Sequence, residues 1–145
     1  MTVNLDVVLD SFVARVPEVA HAVAMSTDGQ VLATTSSLPE SCRDRLAAVG
    51  ASIAGLLHGA ATSLDTGQVI SHIVHMDGGF MFTMRLSPHV SLLVVASTDC
   101  DVAQVGQELP QLATWVSPDP FEFRTPSQPS AEHGQKVATL RGCEP

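Results

Sequence analysis

The residues of this 145-residue chain with the potential for chemistry are its six histidines, three cysteines and scattered serines. Their spacing argues against most of it. His72 and His75 stand three apart in a stretch that reads as a strand, so their side chains leave from opposite faces and cannot hold one metal ion. His21, His58 and His89 have no acid or cysteine at ligand spacing. Cys42, Cys100 and Cys143 are odd in number, far apart and in no C-x-x-C pair, which reads as unlinked thiols rather than a zinc site or a disulfide framework. Cys100 opens a helix, where the dipole favours a thiolate, yet Asp99 and Asp101 flank it and oppose the charge. Ser11, Ser26, Ser41, Ser91 and Ser97 lie in no nucleophile-elbow pattern. No G-x-x-x-x-G-K-[ST] loop is present and the single lysine is Lys136, so the chain is not a P-loop hydrolase. No catalytic residue, metal or cofactor is expected.

Charge narrows the partners. A net charge of −8 leaves no surface to neutralise phosphates, which excludes nucleic acid. An acidic surface instead suits a basic patch on a protein partner, chiefly through on-rate and salt sensitivity. The opening MTVNLDVVLD carries acids where a secretory signal has a basic region, so a cytoplasmic protein is expected. Leu46–Thr62 is uncharged but runs for only 17 residues, is rich in Ala and Gly, and follows Arg43, Asp44 and Arg45. A span needs about 20 apolar residues, so no membrane insertion is expected.

The elements that position these residues read as follows. Ser37–Leu64 is one long helix, opened by a capping box of Ser37 and Glu40 with Pro39 in the first turn. Leu46, Val49, Ile53, Leu56 or Leu57, Ala60 and Leu64 form a stripe for a core. A second stripe, Ala47, Ala51, Ala54, His58 and Ala61, is nearly all small. It suits either a helix lying on a sheet or a helix–helix interface with a second copy. Val3–Val16 is a short amphipathic helix with Asp6, Asp10 and Arg15 outward, stopped by Pro17. Val19–Met25 and Gln30–Thr35 form a hairpin around Asp28-Gly29. Gln68–Met76, Phe80–Leu86 and Val90–Ser97 are three more strands, the first two joined through Asp77-Gly78-Gly79, a turn in which positive φ is expected. Asp99–Val116 is a helix capped by Asp99 and kinked or ended near Leu109 by Pro110. From Ser117 onward the chain holds five of its nine prolines and reads as a flexible tail, in which Phe121 and Phe123 alternate with polar residues and are candidates for an anchor. The fold class is α/β, an α+β sandwich of order αββαβββα. Its five-stranded antiparallel sheet carries the long helix on one face and two helices on the other. Residues 1–117 form the domain and residues 118–145 the tail.

This order, with LDVVLDSFVARVPEVAHAVAMSTDGQVLATT, then LPESCRDRLAAVGASIAGLLHGA, and more loosely MDGGFMFTMRL, VSLLVVAS and DCDVAQVGQEL, resembles the Roadblock / dynein light chain family. The resemblance covers roughly Leu5–Val116 and is strongest to small actinobacterial members found beside a Ras-like GTPase. It implies a protein without catalytic residues that homodimerises by pairing the long helices and the strands that follow them. Ala47, Ala51, Ala54, His58 and Ala61 then become the helix contact, and Gln68–Met76, with Ile70, His72 and Val74, the pairing edge. It implies a regulator or scaffold for a small Ras-like GTPase, in some relatives a platform joining it to a sensor histidine kinase. A small-molecule sensor of PAS or GAF type is the alternative. Pro110 and the proline-rich tail depart from the longer final helix common in relatives, and aromatics at 4% with no tyrosine disfavour a ligand pocket.

Overall fold

The apolar stretches on either side of the long helix pair into one antiparallel sheet in a computed structural model that describes residues 4–116. In chain order the elements are α1 (Leu5–Arg15), β1 (Val19–Ser26), β2 (Val31–Thr34), α2 (Glu40–Leu64), β3 (Ser71–Met76), β4 (Gly79–Ser87), β5 (Val90–Ala96), α3 (Val102–Glu108), a 3₁₀ turn (Leu109–Leu112) and α4 (Ala113–Val116). The strand order is β2-β1-β5-β4-β3. Strands β1 and β5 lie inside the sheet and are covered on both faces, so Ala22–Met25 and Leu92–Val94 read as unbroken apolar runs. Strand β3 is an edge and alternates exposed and half-buried residues along its whole length.

Each face has its own core. On one, α1 and the C-terminal helical segment bring Leu9, Phe12, Val105, Leu109 and Leu112 over Phe82, Leu92 and Val94. On the other, α2 brings Cys42, Leu46 and Ala47 over Val23, Met25, Met81 and Leu93. This is the expected sandwich, with one long helix on one face and the remaining helices on the other.

Several ends differ from the sequence reading. Helix α2 starts at Glu40 with Pro39 in the cap position and no side-chain cap bond. The capping box does not form because the Ser37 hydroxyl donates to the Ala20 carbonyl at 3.1 Å and lies 3.0 Å from His21 Nδ1, tying the segment to β1 instead. Asp101, not Asp99, caps α3, accepting from the Ala103 and Gln104 amides at 3.1 and 3.2 Å. Pro110 acts as its missing N–H requires: α3 ends at Glu108, the chain tightens into the 3₁₀ turn, and an α-turn follows. Cys100 is a free thiol. The tail, with Phe121 and Phe123, lies outside the described residues.

Gly29 has the expected positive φ, 87°. The β3–β4 connection corrects its expectation, because none of Asp77, Gly78 and Gly79 has positive φ. Gly79 is required for a different reason: a Cβ there would stand 2.5 Å from the Ala96 carbonyl oxygen, a backbone atom of the neighbouring strand that cannot rotate away. Gly78 has open space around the same position. Gly79→Ala is therefore expected to destabilise the fold by about 1–3 kcal/mol in urea unfolding while Gly78→Ala changes it little. Equal midpoints for the two variants would refute the close approach.

Candidate functional site

Apart from Ala61, the buried residues of helix α2 lie in its first half. Cys42, Leu46, Ala47, Val49 and Gly50 face the sheet, and Gly50 marks the tightest crossing, where a Cβ would meet Met25 Cε at 2.5 Å and Leu93 Cδ1 at 3.0 Å. The turn at Gly29 also reaches the helix. A Cβ on Gly29 would lie 3.5 Å from Ala51 Cβ and 3.7 Å from the Ala47 carbonyl oxygen. Small side chains at 47 and 51 thus serve an approach within the chain, which the sequence pattern alone could not separate from a helix–helix contact. After Gly50 the cover thins: Ile53, Ala54 and Leu57 are half-buried, His58 and Ala60 are exposed, and Leu56 and Leu64 are 62% and 70% exposed. The predicted core stripe therefore holds at Leu46 and Val49, partly at Ile53 and Leu57, and is uncovered at Ala60 and Leu64.

The β3 edge is also thinly covered. The strand begins at Ser71 rather than Gln68, although Ile70 already accepts a hydrogen bond from the Arg85 amide at 2.9 Å. Ile70 and Ile73 are 67% and 51% exposed. Val74 packs against the core beneath α2, so His72, two residues before it, faces the same layer. His72 Nε2 and Thr83 Oγ1, on directly paired residues of β3 and β4, are both buried with no hydrogen-bond partner within the described residues. Burial also lowers the His72 pKa from its ordinary 6.5. Of the eight residues expected at an interface, Ala47 and Ala61 are buried within the chain, Ala51 and Ala54 are half-buried, and His58, Ile70, His72 and Val74 belong to the thinly covered region.

The opposite edge is treated differently. On β2 the Thr34 amide donates to Asp6 Oδ1 at 2.9 Å, and the Ser36 amide and hydroxyl donate to Asp10 Oδ1 at 2.9 and 3.2 Å. Asp6 and Asp10 are therefore not simply a solvated face of α1, as their helical positions suggested. They cap the backbone of an edge strand.

The cationic and nucleophilic groups are mostly held in place. Arg15 Nη1 lies 2.5 Å from Glu108 Oε1, Arg43 Nε donates to the Leu38 carbonyl at 3.3 Å, and Arg85 donates to Gln68 and to the Ser87 carbonyl. Arg45 is exposed. Burial pushes the Cys100 thiol above its ordinary value, and the carboxylates of Asp101, Glu18 and Asp99 push the same way, so thiolate chemistry is disfavoured. A cleft of about 350 Å³ lies beside α1, lined by Val7, Val8, Ser11, Arg15 and Leu112. Only Ser11 and Arg15 offer polar side chains there, too few to orient a polar ligand. Among the described residues no three His, Cys, Asp or Glu side chains gather to hold a metal ion. By length and composition α2, with a mean hydropathy of 1.3 over its most apolar window, meets the threshold for a membrane span, which the shorter uncharged stretch had not suggested. Its first half is nonetheless packed on the sheet.

The comparisons converge on one fold. A Roadblock/LC7 domain from Streptomyces avermitilis is 29% identical over 79% of this chain and 96% of its own, with a TM-score of 0.76. A second Roadblock/LC7 domain structure from the same organism is 26% identical over 77% of this chain and 96% of its own, with a TM-score of 0.58. MglB from Myxococcus xanthus is 13% identical over 81% of this chain and 94% of its own, with a TM-score of 0.73, which shows a shared fold. No individually curated protein matches. The Roadblock/LC7 domain family matches residues 5–96, from the start of α1 to the end of β5, and the chain belongs to that family.

Proposed function

We propose that the chain is a non-enzymatic, homodimeric regulator or scaffold for a small Ras-like GTPase, working in the cytoplasm and in some settings joining the GTPase to a sensor histidine kinase. The observation that carries this reading is the thinly covered apolar surface formed by the second half of α2 and the open edge of β3. Leu56 and Leu64 on α2 and Ile70 and Ile73 at the β3 edge are large apolar side chains left half or more exposed. A two-fold copy that pairs β3 with β3 and lays α2 along α2 would bury that surface and extend the sheet. The domain of residues 1–117 is the dimerising unit, and 118–145 is an appendage to it. Nucleic acid and membrane insertion have no part in this reading. A small-molecule sensor fits less well, since the cleft beside α1 lacks convergent polar groups.

Solution mass by light scattering, with and without a candidate GTPase in its GDP and GTP-analogue states, tests the whole reading. A dimer that binds the GTPase in one nucleotide state supports a regulator, and a monomer that ignores it rejects the proposal. Ala54→Glu, on the exposed half of α2, is expected to give a folded monomer by placing like charges across the two-fold axis. An unchanged dimer mass would move the interface elsewhere. Ala51→Glu is a poorer probe, because Ala51 also meets the Gly29 turn.

With Arg15, Arg43 and Arg85 each engaged within the chain, any stimulated hydrolysis works by repositioning the GTPase's own residues rather than by an arginine supplied in trans. Arg43→Ala and Arg45→Ala are expected to leave stimulation within a few-fold, against the ~10³ or greater loss that a missing arginine finger produces.

His72 sets a pH dependence with a defined sign. Its folded pKa lies below 6.5, so the unfolded chain binds more protons and the stability contributed by a neutral His72 is present above about pH 6.5 and lost as pH falls below it. Between about pH 7 and about pH 5 the melting temperature of the natural chain is expected to fall further than that of His72→Val. Parallel curves for the two would show that His72 is not the group responsible.

A further inference from the structure

We infer that Asp6 and Asp10 act as a strap that holds the β2 edge of the sheet closed, so that copies of this chain join through β3 and stop at two. The inference rests on the reading of β3 as the pairing edge and adds what limits the assembly. On an edge strand, outward amides recur every second residue, about 6.6 Å apart, and helix positions i and i+4 are separated by a rise of about 6 Å. The two repeats nearly match. Asp6 and Asp10 therefore meet Thr34 and Ser36 in register, each through Oδ1 at 2.9 Å. The intervening Thr35 amide turns inward to the Ala22 carbonyl at 3.0 Å, which confirms that 34 and 36 are the outward pair.

The strap matters because the strand it covers would otherwise resemble the other edge. Leu32, the β2 residue that the register shift skips, is 49% exposed, and β3 carries the exposed Ile70 and Ile73. A sheet with two open apolar edges can pair β2 of one copy with β3 of the next, a head-to-tail contact that does not close and so propagates. Closing β2 leaves β3 with β3, a two-fold contact that ends the series. The occupant excluded by the strap is a second copy of this chain.

The test compares the full chain with D6A/D10A and with D6N/D10N, whose amide oxygens still accept, by light scattering over a range of concentrations, with circular dichroism to report folding. D6A/D10A is expected to grow beyond two copies as concentration rises, while D6N/D10N stays at the mass of the natural chain. Adding L32K, a charge on the newly opened edge, is expected to return D6A/D10A to that mass. A folded D6A/D10A that never exceeds two copies overturns the strap. Hydrogen exchange supplies an arm that survives poor folding of the double variant: in Asp10→Ala alone the Ser36 amide is expected to exchange about tenfold faster or more, and an unchanged rate overturns the inference. If the natural chain is a monomer the pairing of β3 fails, whereas the exchange result still judges the strap by itself.

Discussion

Helix α2 is longer than the sheet that supports it is wide. Its 25 residues rise about 37 Å, whereas five strands at their usual spacing span about 19 Å from edge to edge. The first half, from Cys42 to Gly50, finds a floor in Val23, Met25, Met81 and Leu93 and is fixed there by the close passage of Gly50 over Met25. The second half keeps the same small and apolar residue types but finds less beneath it. Leu56 and Leu64 are left exposed there.

The edges of the sheet divide the same way. Every open antiparallel sheet has two strands with unpaired amides and carbonyls, and proteins close such edges with charges, bulges or covering helices. Here α1 performs this for β2 with two carboxylates, and a shift in register between Ala24 and Met25 adds an irregularity to the pair. No comparable cover lies over β3 among the described residues, and its hydrophobic positions alternate across both faces. The exposed half of α2 leaves apolar side chains uncovered, and the open edge leaves backbone donors and acceptors unpaired by a neighbouring strand.

Much of the sandwich was legible from periodicity, because strands buried on two faces and helices buried on one leave different apolar patterns. The long helix, the five strands, their antiparallel sense and the interruption at Pro110 all follow from local chemistry. What was not legible depended on contacts distant in sequence. Ser37 looked like a cap, yet β1 offered its hydroxyl a carbonyl. Gly79 looked like a turn residue, yet its constraint is the Ala96 oxygen at the far end of the next strand. Ala47 and Ala51 looked available to a partner, yet the Gly29 turn lies against them. Asp6 and Asp10 looked like solvent-facing acids at helical spacing, and nothing local to α1 could reveal the β2 amides 28 and 26 residues away. Gly50 was absent from both stripes because a missing side chain leaves no hydrophobic signal.

The same distinction explains why the candidate site is a surface and not a pocket. Catalysis and ligand capture need polar groups that converge, and here the polar groups are used within the chain: the buried Thr35 bridges to Ala22 in the β1–β2 pair, and three half-buried or exposed arginines hold carbonyls, an amide or a carboxylate. His72 and Thr83 are the exceptions. They sit unpaired beside each other beneath α2, next to the one edge that stays open. A fold otherwise careful to satisfy its interior leaves two adjacent groups unsatisfied beside its uncapped edge, where each costs stability.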